Sequence, residues 1–466
     1  MSTLAPYFTT LETIAPLGVR GQVDSVRGLT IRAVDLALPV DSAVEILTSS
    51  GHRLPGQVIG FEQQYAMIMP LGSLKGIARG NAVVGKATAQ RMACSPLLVG
   101  RVIDAMGQPM DGLGPIRLPE LRPVNVRAID CMRRVPINEP IGTGIRAVDA
   151  LLTCGMGQRM GIFAGPGVGK STLMSMIAKH TSADISVIAL IGERGREVQD
   201  FLQGALGPEG LARSVVIVST ADDSPLLRVR AARVASTVAE YFRDQGKNVL
   251  LLLDSLTRLA QAQRQIGLSV GEPPATKGFT PSVFALLPEI LERAGRTDVG
   301  SITGFYTVLV ESDDFNEPIA DAVKGITDGH LWLDRKLANR GHFPAIGVLE
   351  SISRVRPDVT DKEQQVCVRR VQELMARYTD LEDLVNIGAY AFGADPVNDL
   401  AVRTNAKIME FLQQATSAPT TFAKAKVQLL DLMMVIDKEA QAIEQQRRGG
   451  AAAAPAANRP GTSRKT

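Results

Sequence analysis

The chain has 466 residues, of which 45% are hydrophobic and 21% charged. That length supports about three domains and a large buried core, and the balance excludes whole-chain disorder, a collagenous repeat and a membrane-embedded composition. The 51 basic and 48 acidic side chains leave a net charge of +3, but five cations (Arg447, Arg448, Arg459, Arg464 and Lys465) cluster at the end. The body of the chain is therefore close to neutral, which argues against a protein built to wrap nucleic acid.

Met1 to Gly21 contains Glu12 and no basic segment ahead of an apolar stretch, so no secretory leader is expected. No apolar run approaches the ~18 residues of a membrane-spanning helix, and the expected compartment is the cytosol. The apolar spacing in Met1 to Val19 suits either a docking segment for a regulator or a frayed terminus. Up to about Met92 short β-rich runs alternate with turns: Leu29 to Val34, Val44 to Thr48, Gln57 to Phe61 and Ala66 to Met69, broken by Ser49-Ser50-Gly51 and Pro70-Leu71-Gly72. This pattern predicts a small β-barrel or sandwich over 1–92.

Beyond Pro96 the texture changes. Apolar runs (Ile162-Phe163, Ile185 to Ile191, Val215 to Val218, Val249 to Leu253, Ile302 to Val310) alternate with helical spacing, including Leu173 to Ile177 and a helix opened by Ser224-Pro225. Ser at the cap and Pro at the first turn make a sound helix start. Strands that read as solid apolar runs between helices predict an α/β domain over 93–360, its mostly parallel sheet covered on both faces. From Asp361 the spacing Val366, Val371, Leu374, Met375, Tyr378 is helical, and an amphipathic stretch follows from Phe422 to Glu444, giving a helical domain over 361–446. Residues 447–466, rich in Gly, Ala and Pro, read as a disordered basic tail. Cys94, Cys131, Cys154 and Cys367, and the histidines at 52, 180, 330 and 342, show no metal-ligand spacing, so reduced thiols and no structural zinc are expected.

Chemistry concentrates in three places. Ala164-Gly165-Pro166-Gly167-Val168-Gly169-Lys170-Ser171 is a phosphate-binding loop with Ala for Gly at its first position, set between an apolar strand and an amphipathic helix. Its glycines let backbone N–H groups curl round phosphate, Lys170 neutralises charge, and the Ser171 hydroxyl is offered to Mg²⁺. Asp254 ends the run Val249 to Leu253, the carboxyl edge where α/β sheets place ligands, and can organise Mg²⁺ through water, cap the next helix, or both. Gly192-Glu193-Arg194-Gly195-Arg196-Glu197 follows another apolar strand. Glu193 there can polarise an attacking water while Arg194 faces developing charge, or the segment is a surface salt-bridge cluster.

Taken together, this loop, Gly192-Glu193-Arg194 and Asp254-Ser255-Leu256-Thr257-Arg258 resemble the catalytic subunits of rotary ATPases. The stretches Gly271-Glu272-Pro273-Pro274-Ala275, Pro281-Ser282-Val283-Phe284, Glu292-Arg293-Ala294-Gly295, Gly300 to Val308, Asp328-Gly329-His330 and Ser351-Ile352-Ser353-Arg354-Val355 are most similar to the type III protein-export ATPases, flagellar and injectisome. The resemblance spans roughly Gly21 to Glu444. It implies an N-terminal β-barrel, a RecA-like P-loop core and a C-terminal helical domain, assembled as a homohexamer with ATP at the interfaces. It also implies that Gly165, Pro166, Gly167, Val168, Gly169, Lys170, Ser171 and Thr172 bind the nucleotide, that Glu193 is the base, and that Arg354 is an arginine finger reaching a neighbour's site. Phe343 matches the position of an aromatic laid against adenine, though a Phe beside Pro344 also suits a core; Trp332 and His330 are assigned to packing and local hydrogen bonding.

Rotary synthases carry an acidic helix-loop-helix where this chain has Asn386-Ile387-Gly388-Ala389-Tyr390-Ala391-Phe392-Gly393-Ala394-Asp395, which is much less acidic. The export branch is therefore favoured over a proton-driven synthase, with a stalk protein, a regulator, export substrates and their chaperones as partners, close to a membrane export gate. Asn316 to Asp321 and Ile387-Gly388-Ala389-Tyr390 look more like flagellar members than injectisome ones. The rival readings are a nucleotide-holding ring subunit that does not hydrolyse, against which Glu193 argues, and an RNA-translocating helicase, for which the barrel lacks clustered aromatics and cations.

Overall fold

The computed structural model describes residues 18–87, 90–117, 119–310 and 317–452. The first unit settles the choice between barrel and sandwich. Strands Arg20–Arg27, Thr30–Val34, Ala43–Leu47, Arg53–Glu62, Tyr65–Pro70 and Ala82–Ala87 form a closed barrel in which the first strand pairs with both the second and the sixth. Closure removes the exposed strand edges. Alternate side chains such as Ile31, Ala33, Val44, Ile46, Val58, Ile68 and Val83 fill its interior. Arg20–Arg27 and Ala82–Ala87, the strands that close the ring, are the two that the short-run pattern did not single out.

The central unit is a nine-stranded sheet. Its order is Ile346–Ser353, Gly329–Leu333, Arg159–Ala164, Ser301–Leu309, Asn248–Asp254, Ile185–Glu193, Ser214–Thr220 and Val102–Asp104, with Gly295–Arg296 pairing off this path. Every pair is parallel except those made by Ile346–Ser353 and Gly295–Arg296. The unbroken run Val249 to Leu253 is explained by cover on both faces. Leu250 and Leu252 point into one apolar cluster with Leu173 and Ile177, while Val249, Leu251 and Leu253 point into another with Val234, Leu259 and Leu287. The helix Pro225–Arg243 begins as expected, the Ser224 hydroxyl accepting from Leu227 N at 3.4 Å. Trp332 is buried and stacks on Phe163 at 6.0 Å, and His330 Nε2 lies 3.0 Å from the Glu350 carbonyl.

Three helices follow, Lys362–Asn386, Pro396–Leu412 and Phe422–Ala452. Their apolar faces (Val368, Val371, Leu374, Leu400, Ile408, Leu429, Ile436) join the same cluster as Ile162 and Leu190, so they complete one face of the sheet. The last helix continues to Ala452 and so takes in the first six residues, 447–452, of the expected disordered tail. The rest of that tail, most of Met1 to Val19, and Asn316 lie outside the described residues. Among the described residues, no helix is long and apolar enough to cross a membrane.

Candidate active site at the carboxyl edge of the sheet

Three strands end at one edge and each delivers a group. Arg159–Ala164 leads into the glycine loop, Ile185–Glu193 ends on Glu193, and Asn248–Asp254 ends on Asp254. The helix Lys170–His180 starts from Gly169, whose φ of +95° is left-handed backbone that glycine adopts without strain. A Cβ at that position would lie 3.6 Å from the Phe343 ring. No side chain caps this helix, so the N–H groups of its first turn are left for a ligand.

Lys170 Nζ is ion-paired with Asp254 and lies 3.7 Å from Glu193 Oε1. Asp254 is buried and its Oδ1 also accepts from Thr307 Oγ1 at 2.6 Å. Glu193 Oε1 is buried with no hydrogen-bond partner. Burial, and then the charge of Asp254, push the Glu193 carboxyl up to about 7, with Lys170 opposing. A carboxyl so tuned takes up a proton near neutral pH, the property required of a general base.

The remaining expected residues divide. Gly165 and Val168 are buried, whereas Pro166, Gly167, Ser171 and Thr172 are exposed along the cradle. Arg335 Nη1 donates to the Pro166 carbonyl at 3.1 Å and steadies the loop. Phe343, 45% exposed, faces a cavity of about 430 Å³ bordered by Gly169, Thr172, Leu333, Ala415 and Thr416. A flat apolar wall beside a phosphate cradle suits a nucleobase. Arg194 does not converge on Lys170: its side chain is exposed and sits 3.3 Å from Glu197. Arg354 is farther still. In the sheet Ser353 pairs with Gly329, at the opposite end of the strands from Ala164, which pairs with Leu333. Its Nη1 donates to the Thr327 carbonyl at 3.4 Å. Within one chain, then, the structure does not bring Arg354 to the glycine loop.

Residues unmarked in the sequence also belong here. Arg258 and Arg228 lie against Gly192, where a Cβ would meet Arg258 Cβ at 2.9 Å, and the Nε atoms of both guanidiniums are buried without partners. Arg258 stood inside a matching stretch, and that was its only signal. The site also fits a nucleotide with a divalent cation. The helix start is uncapped, Glu193 has an orphaned oxygen, and the Ser171 hydroxyl and Asp254 carboxylate are the kind of one or two protein oxygens that hold such an ion together with substrate phosphates and water.

A strand-loop-helix phosphate cradle with a basic carboxylate and an acidic strand end defines a P-loop ATPase. Residues 144–353 match the ATP synthase alpha/beta family, nucleotide-binding domain, and residues 360–431 match the T3SS EscN ATPase C-terminal domain. The flagellum-specific ATP synthase of Pseudomonas aeruginosa is 48% identical over 420 residues, covering 89% of this chain and 93% of that protein. A type 3 secretion system ATPase of Xanthomonas euvesicatoria is 45% identical over 437 residues, covering 93% and 98%. The assembled EscN ATPase of the enteropathogenic E. coli type III secretion system superposes with a TM-score of 0.82 at 42% identity, covering 88% of this chain and 99% of that one. The chain belongs to the type III protein-export ATPases, a branch of the ATP synthase alpha/beta family.

Proposed function

We propose that the chain hydrolyses ATP as a homohexamer at the cytoplasmic base of a type III export apparatus, supporting delivery of flagellar subunits. The observation that carries the hydrolytic part is the cluster of Lys170, Glu193 and Asp254 beside an uncapped helix start. In this reading the N–H groups of Gly165 and of Gly167 to Thr172, with the Lys170 ammonium, grip the β- and γ-phosphates. Ser171 directly, and Asp254 through water, would hold Mg²⁺, whose charge offsets that of the phosphate oxygens. Glu193 orients a water for in-line attack and takes its proton as the bond from γ-phosphorus to the ADP oxygen breaks. Arg194 stands at the rim, Arg354 serves a neighbouring copy's site, and Phe343 stacks on adenine.

Assembly is supported by the place of Arg354, next to Ser353 at the far end of the strands from its own glycine loop, and by the relatives. One solved EscN structure is of the assembled ATPase and another holds its central stalk, EscO. A stalk protein is accordingly the first partner to seek, followed by a regulator, export substrates and chaperones. The flagellar assignment is supported by Ile387-Gly388-Ala389-Tyr390 and by three flagellum-specific relatives at 47–48% identity; other flagellum-specific relatives, at 44–46%, overlap the type 3 secretion relatives at 45%. The domain limits in this reading are 92, 360 and 446.

Phosphate release by the purified full chain with ATP and magnesium tests the reading. Glu193→Gln should keep nucleotide affinity and lower turnover by about 10²–10⁴-fold. Turnover near the wild-type level in that variant would remove Glu193 as the base. A specific activity that climbs with protein concentration is the expected sign of interface catalysis.

A further inference from the structure

The apolar cavity beside Phe343 is walled on one side by residues just past the helix Pro396–Leu412, far from the loop in sequence. Gln414 begins that wall. It is 8% exposed, and nearly all of its hydrogen-bonding capacity is spent inside the protein. Oε1 accepts from Arg146 N at 2.7 Å, while Nε2 donates to the Gly144 carbonyl at 2.8 Å and the Ala418 carbonyl at 3.0 Å. Its backbone N donates to the carbonyl of Phe343 at 3.0 Å. Both side-chain donors are therefore committed, and none is left to read a base edge.

The anchor of this clamp is rigid. Gly144 N and Thr143 N donate to the buried Asp149 carboxyl at 3.2 and 2.8 Å, and Thr420 N donates to the Gly144 carbonyl at 3.2 Å. Arg146 Nε in turn donates to the Phe411 carbonyl at 2.6 Å, holding the end of the helix that precedes Gln414. One residue thus ties these parts together: its side-chain amide joins the 143–146 turn to the 414–418 wall, and its backbone N holds the Phe343 carbonyl. The glycine loop is held separately, through Arg335 on Pro166 and the ion pairs of Lys170.

We propose that Gln414 is a positioning residue for the base half of the nucleotide site, setting the gap between Phe343 and Ala415-Thr416 while leaving the phosphate half untouched. The inference rests on the reading of this cavity as the base pocket. The two halves can be separated by ligand. Binding of ATP and of inorganic tripolyphosphate, each with magnesium, is measured on the full chain as wild type, Gln414→Leu and Gln414→Glu. The Glu variant keeps the oxygen that faces Arg146 N and, held neutral by burial among carbonyls, keeps one donor, so it reports even where the Leu variant fails to fold.

Loss of one of the three side-chain hydrogen bonds in Gln414→Glu, or of all three in Gln414→Leu, should weaken ATP by about tenfold, with tripolyphosphate within about twofold of wild type. KM for ATP should rise with kcat unchanged, and Gln414→Leu should add little to Phe343→Ala. Equal weakening of both ligands would show a general structural role and overturn the inference. Unchanged ATP affinity would overturn it too. Wild type that binds tripolyphosphate as tightly as ATP would instead sink the base-pocket reading itself, an outcome visible before any substitution is made.

Discussion

Two side chains withdrawn from water, Arg293 and Glu193, sit at opposite ends of the same sheet and are treated in opposite ways. Arg293 is 1% exposed and every nitrogen is used: Nε and Nη2 on Glu240 at 2.8 and 2.7 Å, Nη2 on Thr237 Oγ1 at 2.9 Å, and Nη1 on the Val124 and Arg233 carbonyls. Glu193 has a buried oxygen that accepts from nothing, a lysine 3.7 Å away and a like charge beyond it. A buried charge with all its partners holds elements together, whereas one left short of them is poised to act on something that arrives. The first is paired with Glu240, and a separate ion network of Arg134, Glu292, Arg159 and Asp328 starts from the neighbouring residue in the chain, at the amino edge. The second belongs to the carboxyl edge, where ligands of α/β sheets gather.

The contrast is sharpest when assembly is included. If Arg354 acts across an interface, Arg354→Ala should cut turnover by about 10³-fold or more while each chain folds and binds ATP normally. A variant that turns over ATP at the wild-type rate would return Arg354 to the structural side of the ledger.

Next in size is the amino edge. Arg293→Met leaves Glu240 buried and unpaired, at a cost of about 3–5 kcal/mol, seen as a lower denaturation midpoint, and adding Glu240→Leu should recover most of it. Little change in that midpoint would deny Arg293 its fastening role.

A smaller effect should appear in the pH profile. Glu193 must be deprotonated to accept a proton, and its carboxyl is pushed up to about 7, so kcat/KM should fall roughly tenfold per unit below that value and level off above it. A limb near the ordinary carboxylate range would mean that Glu193 is not held as described. Smallest of all, Phe343→Ala removes only a stacking face worth about 0.5–1.5 kcal/mol, so KM for ATP should rise about two- to tenfold with kcat steady.

Local pattern made much of this legible. The glycine loop, Glu193 and Asp254 each follow an apolar run in sequence, and a strand end is where a sheet presents its ligand groups; the barrel strands between Leu29 and Met69 were legible in the same way. What pattern could not reach is what the chain folds back to supply. Thr307 on Asp254, Arg335 on Pro166, Phe343 against Gly169 and Gln414 on Gly144 join residues far apart, and none has a spacing of its own. Closure of the barrel had the same cause, since it depends on Arg20–Arg27 meeting Ala82–Ala87. The orientation of Arg194 toward Glu197 was equally out of reach, because a cation after a strand can turn either way.

The helices after residue 360 share a continuous apolar interior with the sheet that carries the glycine loop. A chain cut there would be a protein with one flank flayed open, its 146–151 helix and 346–353 strand stripped of the helices packed on them. Anything that pulls on those helices from outside therefore tugs on residues 414–416, the wall opposite Phe343.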